Sequence, residues 1–459
     1  MQYSIVDLSE VKENSDFRID AEYWKPEFSN INKLINKYKF EKLLNNNRII
    51  TDGSHEVREY KDSGVLFLRV QDIFENNIEI KERIFISEEE NKKLNRSEPE
   101  YNKDILITKT GKIGVATVFT LHERANIPAD IAILKNNSHL NSFFISTFIN
   151  SKYGKLQFIR NQSGLGRPRL VLNSFDNLII PLLSQPFQES IASLVNTSYA
   201  LRQSADTLYK EAEEILLEEL GLKNYQPQNK KCFVKMLSDT QEAGRIDAEY
   251  FQPKYEDVID KIKKYKNGFL FFEDKDINDK NFNSKKDIKY KYIELANISG
   301  NSSIDGVENI IGCDLPTRAR RIVKANDLIV SSIEGSLNSI ALISKKLDGA
   351  LCSTGFFVVN SNKINSEALL VFLKSNLGQM QLKRGCKGTI LTAISKDELK
   401  NIIVPLLPQS IQSQISAKIQ QSFESREKSK QLLEVAKRAV EIVIEENEEA
   451  GLKYIEENK

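Results

Sequence analysis

The stretch Arg18-Ile-Asp-Ala-Glu-Tyr-Trp-Lys-Pro-Glu-Phe28 returns as Arg245-Ile-Asp-Ala-Glu-Tyr-Phe-Gln-Pro-Lys-Tyr255. Six identical residues in a row are followed in both places by an aromatic residue, a variable position, a proline and, two residues on, another aromatic. An internal repeat has to be settled before any fold is read, because a missed one misassigns the whole chain. Ile179-Ile-Pro-Leu-Leu-Ser-Gln-Pro-Phe-Gln188 matches Ile403-Val-Pro-Leu-Leu-Pro-Gln-Ser-Ile-Gln412, and Pro181 and Pro405 are separated by 405 − 181 = 224 positions. The same displacement aligns 140–157 with 364–381, and Asp104-Ile-Leu falls one residue out of step with Asp327-Leu-Ile. With a small gap, 67–73 resembles 293–298. The chain is two copies of a unit of domain size, too long to be a solenoid repeat.

Each copy has the same internal order. After the Asp-Ala-Glu-Tyr segment, apolar residues fall at helical spacing: Phe28, Ile31, Leu34 and Ile35, then Tyr255, Val258, Ile259 and Ile262 in the second copy. β-rich runs follow at 65–70, 104–108 and 131–134, and at 327–331 and 356–359, separated by Gly, Asn and Asp turns. A helix near 141–159 (366–383 in copy two) and a glycine-containing basic loop then lead to the Pro-Leu-Leu block. Mixed helices and short strands in this order predict an α/β (α+β) domain, twice.

Each copy ends in a long helix. From Pro186 to Leu220 neither glycine nor a further proline interrupts the chain, and Phe187, Ile191, Leu194, Leu201, Ala205, Leu208, Ala212 and Ile215 form a seam broken at Ser198. Pro186 suits a first turn and Gly221 a C-terminal cap. In copy two Ile411, Ile415, Ile419 and Phe423, then Leu432, Leu433, Ala436, Val440 and Val443, form the matching stripe around a polar middle. A buried Leu or Ile is worth about 1.5–3 kcal/mol, so two such seams are expected to pair, antiparallel and with pseudo-twofold symmetry. The alternative is that each helix packs only on its own domain. Glu211, Glu213, Glu214, Glu218 and Glu219, with Glu441, Glu445, Glu446, Glu448 and Glu449, make acidic outer faces that repel a phosphate backbone.

Composition narrows the chemistry. At 459 residues, 40% hydrophobic and 28% charged, the chain has the balance of a folded globular protein. A net charge of +1 argues against a strongly basic tail but leaves room for a local basic face. Cys232, Cys313, Cys352 and Cys386 are scattered, and His55, His122 and His139 all lie in the first copy without metal-ligand spacing, so neither disulfides nor a repeated metal site is expected. No run of about 18 apolar residues predicts a membrane span, and the expected compartment is the cytoplasm.

Taken together these features resemble the DNA specificity subunit of type I restriction-modification systems. The resemblance rests on the duplicated Asp-Ala-Glu-Tyr-x-x-Pro segment, the duplicated Pro-Leu-Leu-x-Gln-x-x-Gln block (Pro181 to Gln188, Pro405 to Gln412) and the order domain, helix, domain, helix. It implies target recognition domains at 1–185 and 223–407, spacer helices at 186–222 and 408–459, and a coiled coil of those helices. It implies a partnership with double-stranded DNA carrying a bipartite site, with two methyltransferase subunits that bind S-adenosylmethionine, and with restriction motor subunits. No cofactor or catalytic residue is implied in this chain. The residues agree: there is no Pro-Pro pair for an adenine-methylation motif and no Pro-Asp start of a nuclease site. Thr108-Lys-Thr-Gly-Lys-Ile-Gly114 lacks phosphate-loop spacing, and Gly111 and Gly114 read as a turn. The alternatives are the recognition subunit of another phage-defence methyltransferase and a standalone DNA-modifying enzyme.

A DNA reader needs cations for phosphate and forked or planar groups for base edges. Three stretches per copy offer them. The first is the loop with Arg160, Arg167 and Arg169, aligned with Lys383, Arg384, Lys387 and Thr389. The second is the turn Lys109-Thr110-Gly-Lys112, aligned with Ser331-Ser332-Ile-Glu334-Gly335. The third is Arg69-Val-Gln71 opposite Glu294-Leu-Ala-Asn297, read as strand positions sharing one face. Scaffold residues repeat while these polar ones differ, as two different half-sites require. The invariant Asp20 to Tyr23 and Asp247 to Tyr250 are assigned to scaffold or subunit docking.

Overall fold

The computed structural model describes residues 5–13, 17–35, 37–56, 58–80, 82–164, 166, 168–227, 229–388 and 392–459. Its contacts divide the chain into Met1–Arg202 with Glu427–Lys459, and Gln203–Arg426.

In the first unit an antiparallel sheet holds, in spatial order, Arg48–Asp52, Ile131–Asn136, Ile105–Thr108 and Ala116–Val118. Ile105, Ile107, Ala132 and Leu134 face a core shared with helices Ser142–Asn150 and Lys152–Asn161. Leu106, Ile131 and Ile133 point the other way, against a small sheet of Phe85–Ile86, Val65–Phe67 and Ala125–Asn126. Residues 105–107 and 131–134 are apolar at every position because period-two alternation here sends side chains into two cores rather than into a core and water.

The second unit repeats these layers. Ile277–Asn278, Phe356–Val359, Leu328–Ser331 and Ile340–Leu342 make the main sheet. Leu328, Val330, Phe357 and Val359 face the helical core, and Ile329, Ala341, Phe356 and Val358 the other. The second sheet is Glu308–Ile311, Lys289–Ile293, Leu351–Ser353 and Ala319–Ile322.

Repeated residues make repeated bonds. Gln157 accepts from the Ile179 amide at 2.9 Å and donates to its carbonyl at 3.0 Å; Gln381 does the same to Ile403 at 2.8 and 3.1 Å. Gln188 and Gln412, the last residues of the Pro-Leu-Leu block, accept from the amides of Asn141 and Asn365 at 2.9 and 2.7 Å. The helix expected near 141–159 is two helices broken at Ser151, as Ser366–Lys374 and Asn376–Arg384 are broken at Ser375. Each serine caps the second helix, accepting from Gly154 or Gly378. A Cβ on those glycines would stand 2.2 Å from the Phe148 carbonyl oxygen or 2.3 Å from that of Phe372.

Each long helix, Gln185–Glu219 and Gln409–Glu445, contributes one half to each unit, and in each the halves pair antiparallel. In the first unit Ser198 Oγ lies 2.7 Å from Ser429 Oγ, and the Ser184 amide donates to Glu448 at 3.0 Å. In the second, Ser422 donates to the Ala205 carbonyl at 2.7 Å and Lys418 pairs with Glu211 at 2.8 Å. Phe187, Ile191, Leu194 and Val195 are buried in the same cluster as Leu432, Leu433, Ala436 and Val440. Ser198, which breaks the apolar seam, is fully buried and hydrogen-bonded across the pair. Gly221, at φ +68°, ends the first long helix with the Leu222 amide bonded to the Leu217 carbonyl. The acidic faces are not left wholly to solvent: Glu441 accepts from the Lys152 amide and Glu445 from the Tyr153 hydroxyl.

Candidate nucleic-acid interface

The duplicated Arg-Ile-Asp-Ala-Glu-Tyr segment builds a clasp in both units. Arg18 forks onto both Asp20 carboxylate oxygens at 2.7 and 2.9 Å, and its remaining nitrogen, Nη1, donates to the Arg160 and Gln162 carbonyls. Arg245 likewise forks onto Asp247 and donates to the Arg384 and Cys386 carbonyls. Hydrogen bonding from these arginines holds the Asp20 and Asp247 carboxyls below their ordinary values. The Arg160 guanidinium lies 4.1 Å from the Tyr23 ring centre and 5.0 Å from that of Trp24, while Arg384 lies 4.4 Å from Tyr250. Arg160 also donates to the Tyr23 carbonyl, and burial lowers its pKa. The clasp fixes where the following basic loop begins.

Two of the three nominated stretches come together in each unit. In the first, Thr110 and Arg169 form an antiparallel bridge and the Leu170 amide donates to the Lys109 carbonyl at 2.9 Å. In the second, Ile333 bridges Ala393, the Glu334 amide donates to the Thr392 carbonyl at 2.9 Å, and the Ile394 amide to Ser332. One loop-and-turn edge is thus presented at corresponding positions of both units, with different side chains.

The nominated side chains divide by environment. Lys109 is buried and ion-paired with Asp52, Arg160 is buried in the clasp, and Ser331 is buried against the Ser336 hydroxyl. Thr110 donates to Asp130, Ser332 to the Gly355 carbonyl, and Asn297 to the Asp305 and Gly306 carbonyls. Arg384 is half-buried under Tyr250. Exposed are Lys112, 4.6 Å from the Phe74 ring centre, Arg169, Lys383, and Lys387, which pairs with Glu398 at 2.6 Å. Arg167 and Thr389 lie outside the described residues.

The third stretch is not a strand. Val65–Phe67 ends before it, and Val70–Asp72 is a single 3₁₀ turn in which Asp72 accepts from the Arg69 amide at 2.8 Å. Leu295–Asn297 repeats that turn, with Asn297 accepting from the Glu294 amide. Arg69 bonds Glu82 at 3.0 Å, and Gln71 is exposed with its amide oxygen placed to accept from Arg69. The local competition of an Asp or Asn side chain for a backbone amide overrides the apolar run that reads as β. Asp130, exposed beside Thr110, is a polar group on this edge that the pattern of repeats does not single out.

Residues 259–438 match the family model described as type I restriction modification DNA specificity domain. The matched segment falls within the second of the two copies, its long helix included. No curated protein matches the chain. Among solved structures it is similar to the type I restriction-modification S subunit from M. genitalium, at 11% identity over 89% of this chain and 95% of that one, with a TM-score of 0.38. It is also similar to the HsdS subunit from Thermoanaerobacter tengcongensis, at 11% identity over 89% and 96%, with a TM-score of 0.26. These superpositions add no weight to the family match. Among the described residues no helix is long and apolar enough to cross a membrane.

Proposed function

We propose that this chain is a type I restriction-modification specificity subunit that reads a bipartite duplex site, one half per unit, and thereby directs adenine methylation or cleavage by partner subunits. The observation that carries this reading is the recurrence of the bridged loop-and-turn edge, Thr110 to Arg169 and Ile333 to Ala393, on two frames whose scaffold bonds are the same and whose edge residues differ. Two unlike reading edges on like frames suit two unlike half-sites. Among the described residues Lys112 and Arg169 are exposed cations on the first edge; Lys383, Lys387 and Glu334 are charged groups on the second, and a carboxylate there can accept from a cytosine amino group. Domains at 1–185 and 223–407 act as the two readers, with 186–222 and 408–459 as spacers. The partners are two methyltransferase subunits carrying S-adenosylmethionine, together with restriction motor subunits. Ile19 and Ile246, exposed within the otherwise internally bonded clasps, are like apolar points at which two like methyltransferase subunits dock.

Single-molecule methylation sequencing of the host genome tests this. A split adenine-methylated motif, lost on deletion of the gene, is expected, and Lys112→Ala with Arg169→Ala relaxes one half of the motif alone. An unsplit motif, or equal relaxation of both halves, would overturn it.

A further inference from the structure

The second unit carries an uncompensated basic face that the repeat pattern does not mark. Residues 280–291 hold five lysines against one aspartate, interleaved with Phe282 and Tyr290, whose ring centres lie 5.9 Å apart. Backbone bonds fold this run onto a neighbouring strand: the Phe282 amide donates to the Arg320 carbonyl at 2.6 Å and the Cys313 amide to that of Lys286 at 3.1 Å. Lys280, Lys285, Lys286, Lys289, Arg318 and Arg320 are all exposed. Among the described residues none of the six has a carboxylate ion-pair partner.

The counterpart sheet of the first unit differs. There Arg58 pairs with Glu90 at 3.3 Å, Arg69 with Glu82 at 3.0 Å, Arg83 with Glu123, and Arg124 with Glu98 at 2.7 Å. Surface arginines matched to carboxylates have little charge to offer a ligand, whereas unmatched cations keep theirs. The basic face also adjoins the second reading edge. The Thr354 amide donates to the Arg318 carbonyl at 2.9 Å, and one residue on, the Gly355 carbonyl accepts from the Ser332 amide at 2.9 Å.

The geometry points to this face as a phosphate-backbone clamp, which grips duplex DNA without regard to sequence and holds it against the second reading edge. The ligand is the polyanionic backbone: scattered cations on long flexible stems suit a line of phosphates, while base readout needs fixed forked geometry. The inference rests on the reading of the second unit as a DNA-binding unit.

The test is the binding of the full chain to random-sequence duplex DNA as a function of salt. Lys285→Ala, Lys286→Ala and Arg320→Ala together are expected to weaken binding roughly ten-fold or more and to flatten the log–log salt slope by about 0.9 for each lost phosphate contact, or about 2.7 in all. A control of equal charge loss, Lys230→Ala, Lys231→Ala and Lys264→Ala, keeps the wild-type slope. If wild-type chain binds with a steep salt dependence and the two variants behave alike, the clamp is refuted while the DNA-binding reading stands. If wild-type chain does not bind duplex DNA at all, that reading fails and takes the clamp with it. Unchanged circular dichroism of both variants confirms that the comparison is between folded chains.

Discussion

The guanidinium of Arg160 lies 4.1 Å from the centre of the Tyr23 ring, inside a clasp in which Arg18 stands 4.8 Å from the same ring centre. Arg160→Ala removes the ring contact and the bond to the Tyr23 carbonyl, and is expected to cost about 1–3 kcal/mol of stability. Arg160→Lys restores only part, because an ammonium cannot stack its plane on a ring. Trp24, the single tryptophan, is 5.0 Å from the same guanidinium, so urea unfolding followed by its fluorescence reads the effect locally. Wild-type stability in Arg160→Ala would show that the clasp does not hold the loop.

Ser198 and Ser429 form a buried polar layer within the helix pair of the first unit, with Arg202 Nε donating to Ser429 Oγ at 2.9 Å. Ser429→Ala is expected to lose about 1 kcal/mol, and the double variant Ser198→Ala with Ser429→Ala less than the sum of the two singles. A double-mutant cycle in guanidinium measures the coupling; strict additivity would mean that the hydroxyls do not interact.

Gly154 and Gly378 sit where the paired helices turn, and no Cβ fits beside the Phe148 or Phe372 carbonyl without displacing backbone. Gly154→Ala or Gly378→Ala should each lose about 2 kcal/mol or more, far beyond an exposed helical Gly→Ala, which usually stabilises. Thermal melts of the two variants compared with Gly335→Ala, at a position with open space, provide the check.

Lys374 ends the Ser366–Lys374 helix and donates to the Gly300 and Asn338 carbonyls at 2.8 and 3.1 Å. Burial first, and then Arg426, push its pKa down from 10.5 to about 8, with Glu213 opposing. The folded chain therefore binds this proton less tightly than the unfolded chain. Its contribution is unfavourable and constant below about pH 8, and is relieved as pH rises from about 8 towards 10.5. The stability of wild-type protein should gain on the order of 1–2 kcal/mol across that window relative to Lys374→Met. Parallel pH profiles for the two proteins would contradict the assignment.

Much of this architecture is legible in the repeat. Gln157 and Gln381, Gln188 and Gln412, and the two Arg-x-Asp-x-x-Tyr segments are recognisable as scaffold because one displacement aligns them, and each makes the same bonds twice. The coiled-coil seam is legible from Phe187, Ile191 and Leu194, and Ser198 within it is a paired layer rather than a defect. Individual reading residues are harder to find. Arg160 and Lys109 have the charge of DNA contacts, yet Tyr23, Trp24 and Asp52, distant in sequence, enclose them. Arg69 and Gln71 look like strand positions until Asp72 captures the backbone amide. The cations of 280–291 escape notice because a chain-wide net charge near zero averages them against acids elsewhere, while only the folded chain shows which charges are matched.

The first unit is assembled from two segments far apart in the sequence: Phe187 packs beside Gly451, and the Tyr38 hydroxyl donates to the Val443 carbonyl. The second is contiguous. During synthesis on the ribosome, Ile191, Leu194 and Val195 must wait for Leu432, Leu433 and Val440 to emerge, so the later-made half closes before the earlier one. A nascent chain stalled after residue 426 would carry one finished unit and one with its seam open to water, the form most exposed to chaperones and proteases.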